Sequence, residues 1–210
     1  MYERVTSATT TPDHLDDAVL AFEQTVVPAL RQLPGYLGAV LDINRDTGRC
    51  WARTYWESLA ALNASEQGAP QRRQEATGSM NVSVTDVDRY EIAMLELPPG
   101  APLPEAGAVA RINDGFTATP ERLDALIEVL RDRAESILGQ RGCQAMIVSV
   151  NRATGRYIAA SVWDTAENRE ASAGSIAPIR RDAGEAGGSQ PNVTLAETAF
   201  VEMMMPARQS

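Results

Sequence analysis

Trp51, Arg53 and Tyr55 alternate along one short stretch, so a strand there would put an indole, a guanidinium and a phenol on one face. Such a face could stack a flat ligand and stabilise negative charge developing on it. Trp56 falls on the opposite face and is matched by Trp163 in the second half of the chain. Each of these two is read either as core or as an aromatic wall for a flat ligand. Two arginine pairs, Arg72-Arg73 and Arg180-Arg181, each follow an Ala-Pro. With proline at the first helical position, the guanidinium groups would stand near a helix N-terminus, against the helix dipole. They would serve either to bind an acidic ligand or surface, or only as inherited residues paired with nearby acids. His14 is either a proton acceptor or a solvated side chain in a helix's first turn.

Composition removes much other chemistry. All nineteen basic residues are arginine, so lysine Schiff bases, lysine general bases and a P-loop lysine are excluded. One histidine and two cysteines, Cys50 and Cys143, leave no metal-ligand spacing and no disulfide framework. A net charge of −9 argues against nucleic acid as a partner. No run approaches the roughly 18 apolar residues of a membrane span, and the N-terminus lacks the pattern of a secretory signal. A reducing cytoplasm is the expected setting, with neither a membrane nor a cofactor involved.

The elements that must position these residues come from an internal repeat. Asn44-Arg45-Asp46-Thr47-Gly48-Arg49 recurs 107 residues later as Asn151-Arg152-Ala153-Thr154-Gly155-Arg156. Carried on to Trp56 and Trp163, that register gives seven identities in thirteen positions, where chance would give about one. Thr11-Pro12 matches Thr119-Pro120, and Val84-Thr85 matches Val193-Thr194. The chain therefore reads as two modules, 1–96 and 107–210, joined by a proline-rich linker over 97–106. In each, a strand leads to a helix capped by threonine with proline at its first position. A hairpin with a Thr-Gly turn follows, then an Ala-rich helical segment and a last strand. Pro28 is expected to kink or end the first module's helix. The order β-α-β-β-α-β is ferredoxin-like. One sheet face would be covered by helices and the other left apolar, to be buried by the second copy.

Module order, Trp56-Glu57-Ser58, Trp163-Asp164-Thr165 and the repeated Ala-Pro resemble the antibiotic biosynthesis monooxygenase-like domains of the dimeric α+β barrel superfamily. The resemblance covers nearly the whole chain. It implies tandem ferredoxin-like modules that form an intramolecular α+β barrel, as a monomer with pseudo-twofold symmetry or as a homodimer. It also implies a cofactor-independent monooxygenase acting on a small aromatic or polycyclic substrate, or else a non-catalytic barrel that binds a small ligand or a protein. Tyr55, Arg53 and Asn113 would be catalytic. Trp51, Trp56, Trp163, Arg72, Arg73, Arg180 and Arg181 would bind substrate. Many relatives carry a histidine where this chain has Ser65 and Ser172. Haem-degrading relatives pair a first-strand asparagine, matched by Asn113, with a histidine ligand that the second module lacks.

Overall fold

The computed structural model describes residues 1–67 and 81–204. The first half runs β1 (Tyr2–Thr9), a 3-10 turn (Pro12–His14), α1 (Leu15–Ala21), α2 (Val27–Arg31), β2 (Tyr36–Asn44), β3 (Arg49–Trp56), α3 (Leu59–Ser65) and β4 (Ser83–Glu96). The second runs β5 (Val109–Phe116), α4 (Pro120–Asp132), α5 (Ala134–Leu138), β6 (Cys143–Asn151), β7 (Arg156–Trp163), α6 (Ala166–Ala171), α7 (Ala173–Gly187) and β8 (Asn192–Met203). The hydrogen-bonded strand order closes on itself as an eight-stranded barrel, β1-β3-β2-β8-β5-β7-β6-β4. This is the α+β barrel of tandem ferredoxin-like modules that the resemblance implied. No helix among the described residues is long and apolar enough to cross a membrane.

The repeated turns explain the hairpins. Asn44 Oδ1 accepts from Thr47 N at 2.9 Å and from Thr47 Oγ1 at 2.8 Å, while Asn151 Oδ1 accepts from Ala153 N at 3.1 Å and Thr154 N at 3.2 Å. Asparagine thus replaces a backbone acceptor at the turn's start. Gly48 follows at φ +69°, and Thr10 N donates to its carbonyl oxygen at 2.9 Å. A methyl at Gly48 would overlap the Thr10 carbonyl oxygen. Gly48→Ala should therefore cost at least about 1–2 kcal/mol, from the left-handed backbone alone. A thermal melt of the variant checks this, and an unchanged midpoint would refute the account.

Two prolines depart from expectation to different degrees. Pro28 does not end its helix: the helical run continues from Leu15 to Arg31, with a π turn over Phe22–Val26 directly before the segment that holds Pro28. Pro178 lies inside α7, which starts five residues earlier at Ala173. Arg180 and Arg181 therefore ride mid-helix, not beside an N-terminus. The one backbone bond that Pro178 removes would fall to Gly174, an exposed position with nothing packed on it.

The residues form two compact units, and these cut across the sequence repeat. One holds Met1–Arg89 with the chain from Glu197, and the other holds Tyr90–Ala196. In unit 1, β3 pairs antiparallel with β1 and β2, and β2 pairs with the Glu197–Met203 part of β8. In unit 2, β7 pairs with β5 and β6, and β6 pairs with the Glu91–Glu96 part of β4. Helices cover one face of each sheet. Leu15, Phe22, Val27, Ile43, Trp56 and Leu62 pack there in unit 1, and Leu123, Leu126, Ile137, Val148, Trp163 and Ile179 in unit 2.

The face away from the helices departs from the apolar expectation in unit 1. Unit 2 buries Ala108, Ala145 and Val162 there. Unit 1 buries Glu3, Asp42, Arg53 and Tyr55, because parity puts Glu3 opposite Tyr55 on the β1–β3 ladder and Asp42 opposite Trp51 on β2–β3.

Candidate functional site

Unit 2 contains a cavity of about 40 Å³ between its sheet and its helices. That is room for about three waters. Leu126 and Leu130 of α4, Met146 of β6, and Ile176 and Ile179 of α7 make most of its wall. Four polar side chains join them: Asn113 of β5, Tyr157 and Ser161 of β7, and Arg180 of α7.

Their hydrogen bonding leaves specific capacity for a ligand. Asn113 Nδ2 donates to the Ala159 carbonyl at 3.1 Å, which fixes the amide orientation. Its Oδ1 is then a buried acceptor with no partner. Ser161 Oγ accepts from Trp163 Nε1 at 3.0 Å, so its own proton is available. Burial pushes the Tyr157 phenol up to about 12, with Asp114 adding to the effect. It is therefore a hydrogen-bond donor, not a base, at neutral pH. Gly115 makes the space for that hydroxyl, since a Cβ there would stand 2.8 Å from it. Arg180 has no hydrogen-bond or ion-pair partner among the described residues. No carboxylate or imidazole lines the cavity among the described residues.

Unit 1 holds a different polar cluster. Arg53 grips Glu3 with two bonds of 3.0 Å, the two being 4% and 0% exposed. Thr198 Oγ1 donates to Asp42 Oδ1 at 2.8 Å. Burial raises the Asp42 carboxyl, opposed by Arg53 and Thr198 and assisted by Glu3. Burial likewise raises the Tyr55 phenol, opposed by Arg53 and assisted by Glu3 and Asp42. A carboxyl raised in the fold is penalised above its folded pKa, and the penalty vanishes below the unfolded value near pH 4. Asp42→Asn keeps the acceptor for Thr198 and removes the penalty. Its melting temperature should match or exceed the parent's at pH 7 and converge with it toward pH 4. A clear loss at pH 7 would show that the charge of Asp42 is needed.

The residues singled out by sequence thus separate. Asn113 and Arg180 meet at one cavity. Tyr55, Arg53 and Trp51 belong to unit 1, on the face away from its helices, so neither unit alone holds Tyr55, Arg53 and Asn113 together. Trp56 and Trp163 are fully buried in the two helix-side cores. Arg181 is exposed and paired with Asp182 at 3.2 Å. Arg72 and Arg73 lie outside the described residues. Tyr157, Ser161 and Arg111 escaped the sequence reading. A signal existed for two of them: Arg4 and Arg111 share the 107-residue offset, and a hydroxyl residue stands two before each repeated tryptophan, Thr54 and Ser161.

Among the described residues, no group of three or more histidine, cysteine, aspartate or glutamate side chains could hold a metal ion. Residues 112–177 match the antibiotic biosynthesis monooxygenase family, a span that includes Asn113, Tyr157 and Ser161. An uncharacterised protein of Mycobacterium tuberculosis (strain H37Rv) is 27% identical over 98% of this chain and 86% of its own length. The fold is similar to that of a crystal structure described as an anthrone oxidase-like protein, with TM-score 0.71 and 14% identity over 98% of this chain and 94% of that one. It is also similar to a ferredoxin fold protein from Listeria monocytogenes related to antibiotic biosynthesis monooxygenases. That likeness has TM-score 0.52 and 10% identity, over 93% of this chain and 94% of that one.

Proposed function

We propose, taking as premise the antibiotic biosynthesis monooxygenase match over residues 112–177, that this chain is a cofactor-independent monooxygenase whose substrate, a small aromatic, binds in the unit-2 cavity. The observation that carries the reading is the pair of unused groups there: the orphaned Asn113 Oδ1 and the unpaired Arg180. In the proposed reaction an ionised ring or enolate gives electrons to dioxygen. A hydroperoxide forms at the activated carbon and collapses with loss of water, so that CH₂ and O₂ become C=O and H₂O. Asn113 accepts from a substrate hydroxyl, Ser161 and Tyr157 donate to the developing oxyanion, and Arg180 stabilises its charge. The apolar walls keep bulk water from the reacting carbon. An aromatic ring exceeds the present cavity, so side chains of its apolar wall must turn aside to admit it.

Oxygen uptake with an anthrone or a hydroquinone, without added cofactor, tests this. Asn113→Ala and Arg180→Gln should each lower uptake by roughly ten- to a hundredfold, the range for losing a hydrogen bond to a charged or buried partner. Uptake unaffected by both would sink the assignment. A second reading, a non-catalytic carrier of the same fold, draws on the small size of the cavity; ligand binding with no oxygen uptake would select it.

A further inference from the structure

Arg4 and Arg111 hold equivalent positions on the first strands of the two halves and lie over equivalent tryptophans. Arg4 is 5.5 Å from the centroid of the Trp56 ring, and Arg111 is 5.7 Å from that of Trp163. Their neutralisation differs. Arg4 pairs with Glu66 at 2.5 Å, just after α3. At the 107-residue offset, the position of Glu66 is Ala173. Among the described residues, Arg111 therefore hydrogen-bonds only to neutral acceptors, Ser172 Oγ at 3.0 Å and the Arg169 carbonyl at 2.5 Å, although it is 4% exposed. Burial lowers its pKa, Glu170 opposes that shift, and Arg169 and Arg180 reinforce it. Arg169 is itself 9% exposed, with a buried Nε that has no partner. Among the described residues, the carboxylate that reaches this group is Glu170, which pairs with Arg169 at 3.0 Å and is itself largely exposed.

This excess charge adjoins the cavity. Ser161, directly opposite Arg111 on the β5–β7 ladder, and Asn113, next on the same face, both line it, and so does Arg180. Two buried guanidiniums that share one exposed carboxylate are under-compensated, and an arriving oxyanion would reduce that cost. Among the described residues the cavity's own lining also offers no base, which favours a ligand that arrives already ionised.

We propose that the unit-2 cavity selects aromatic oxyanions, with Arg180 facing the ligand and Arg111 and Arg169 supplying the positive field behind Ser161. Module 1 has this field cancelled by Glu66. The inference rests on the unit-2 cavity being the ligand site, but not on turnover.

Calorimetric titration of the whole protein tests it with benzoate against benzamide, and with nitrophenolate against nitrobenzene. Each anion should bind at least tenfold more tightly than its neutral counterpart. Benzoate alone preferred would assign a carboxylate site, and nitrophenolate alone a phenolate site. Ala173→Glu, which restores the counter-charge of module 1 at an exposed position, should weaken anion binding about tenfold while leaving neutral binding and melting temperature unchanged. Arg180→Gln is the second variant, and it should erode the same preference. Equal binding of anion and neutral partner, or a preference untouched by both variants, overturns the proposal. Anion preference without oxygen uptake would leave it standing and remove only the monooxygenase; uptake without anion preference would do the reverse.

Discussion

Arg53→Leu should lower the stability of the protein by about 3–5 kcal/mol, because it leaves Glu3 as a buried carboxylate with no counter-charge. For a chain of this size that corresponds to a fall of roughly 10 °C or more in melting temperature. Replacing both partners, Glu3→Leu with Arg53→Leu, should recover most of the loss, since two leucines of similar volume require no desolvation of charge. Thermal melts of the two single variants and the double measure this as a cycle. A double variant no better than the singles would mean that Arg53 is held by more than Glu3, with Asp42 the first group to examine. The result also bears on catalysis. Should the proposed oxygen uptake be lost in Arg53→Ala, that loss would identify a catalytic residue only if the variant remains folded at the assay temperature.

Trp163→Ala carries the second large effect. The indole is fully buried among the residues of the unit-2 core, and truncations of this kind cost about 3–5 kcal/mol. Trp163→Phe keeps an aromatic ring but removes the donor to Ser161 Oγ, about 1 kcal/mol, and part of the buried volume, so it should cost clearly less than the alanine. The pair of variants separates packing from ligand contact. Large destabilisation by Ala with benzoate affinity retained in Phe would make Trp163 a core residue. Retained stability in Ala with lost affinity would make it part of the ligand wall. Trp56→Ala should behave like Trp163→Ala in the melt, with an added loss from its edge-on contact with Tyr36, whose ring centroid is 5.7 Å away.

The repeat made the fold readable because its most constrained residues are local. Asn44, Gly48, Asn151 and Gly155 close tight turns through bonds to residues two to four positions away, so spacing alone carries the information. Strand parity was equally legible: Trp51, Arg53 and Tyr55 do share a face opposite Trp56. Which face the helices cover is decided by distant residues, and parity cannot say. The same limit hid Arg111, whose significance lies in a missing carboxylate sixty-two residues away at Ala173. Pro178 misled because proline at a helix's first position and proline inside a helix share the same local sequence, and only the start of α7 at Ala173 distinguishes them. Asn113 could be placed on its strand, but its orphaned oxygen depends on the Ala159 carbonyl supplied by β7.

The division of β4 and β8 between the two units has a consequence for the order of assembly. Unit 2 is one unbroken stretch, Tyr90–Ala196, whereas unit 1 needs the part of β8 from Glu197 onward. As the chain leaves the ribosome N-terminus first, β1, β2 and β3 emerge early yet wait with one edge of β2 unpaired. The later-made unit is complete first. Its predecessor closes only when Glu197–Met203 arrives, so synthesis from Asn44 to Glu197 is a window in which that open edge must be kept from pairing with another chain.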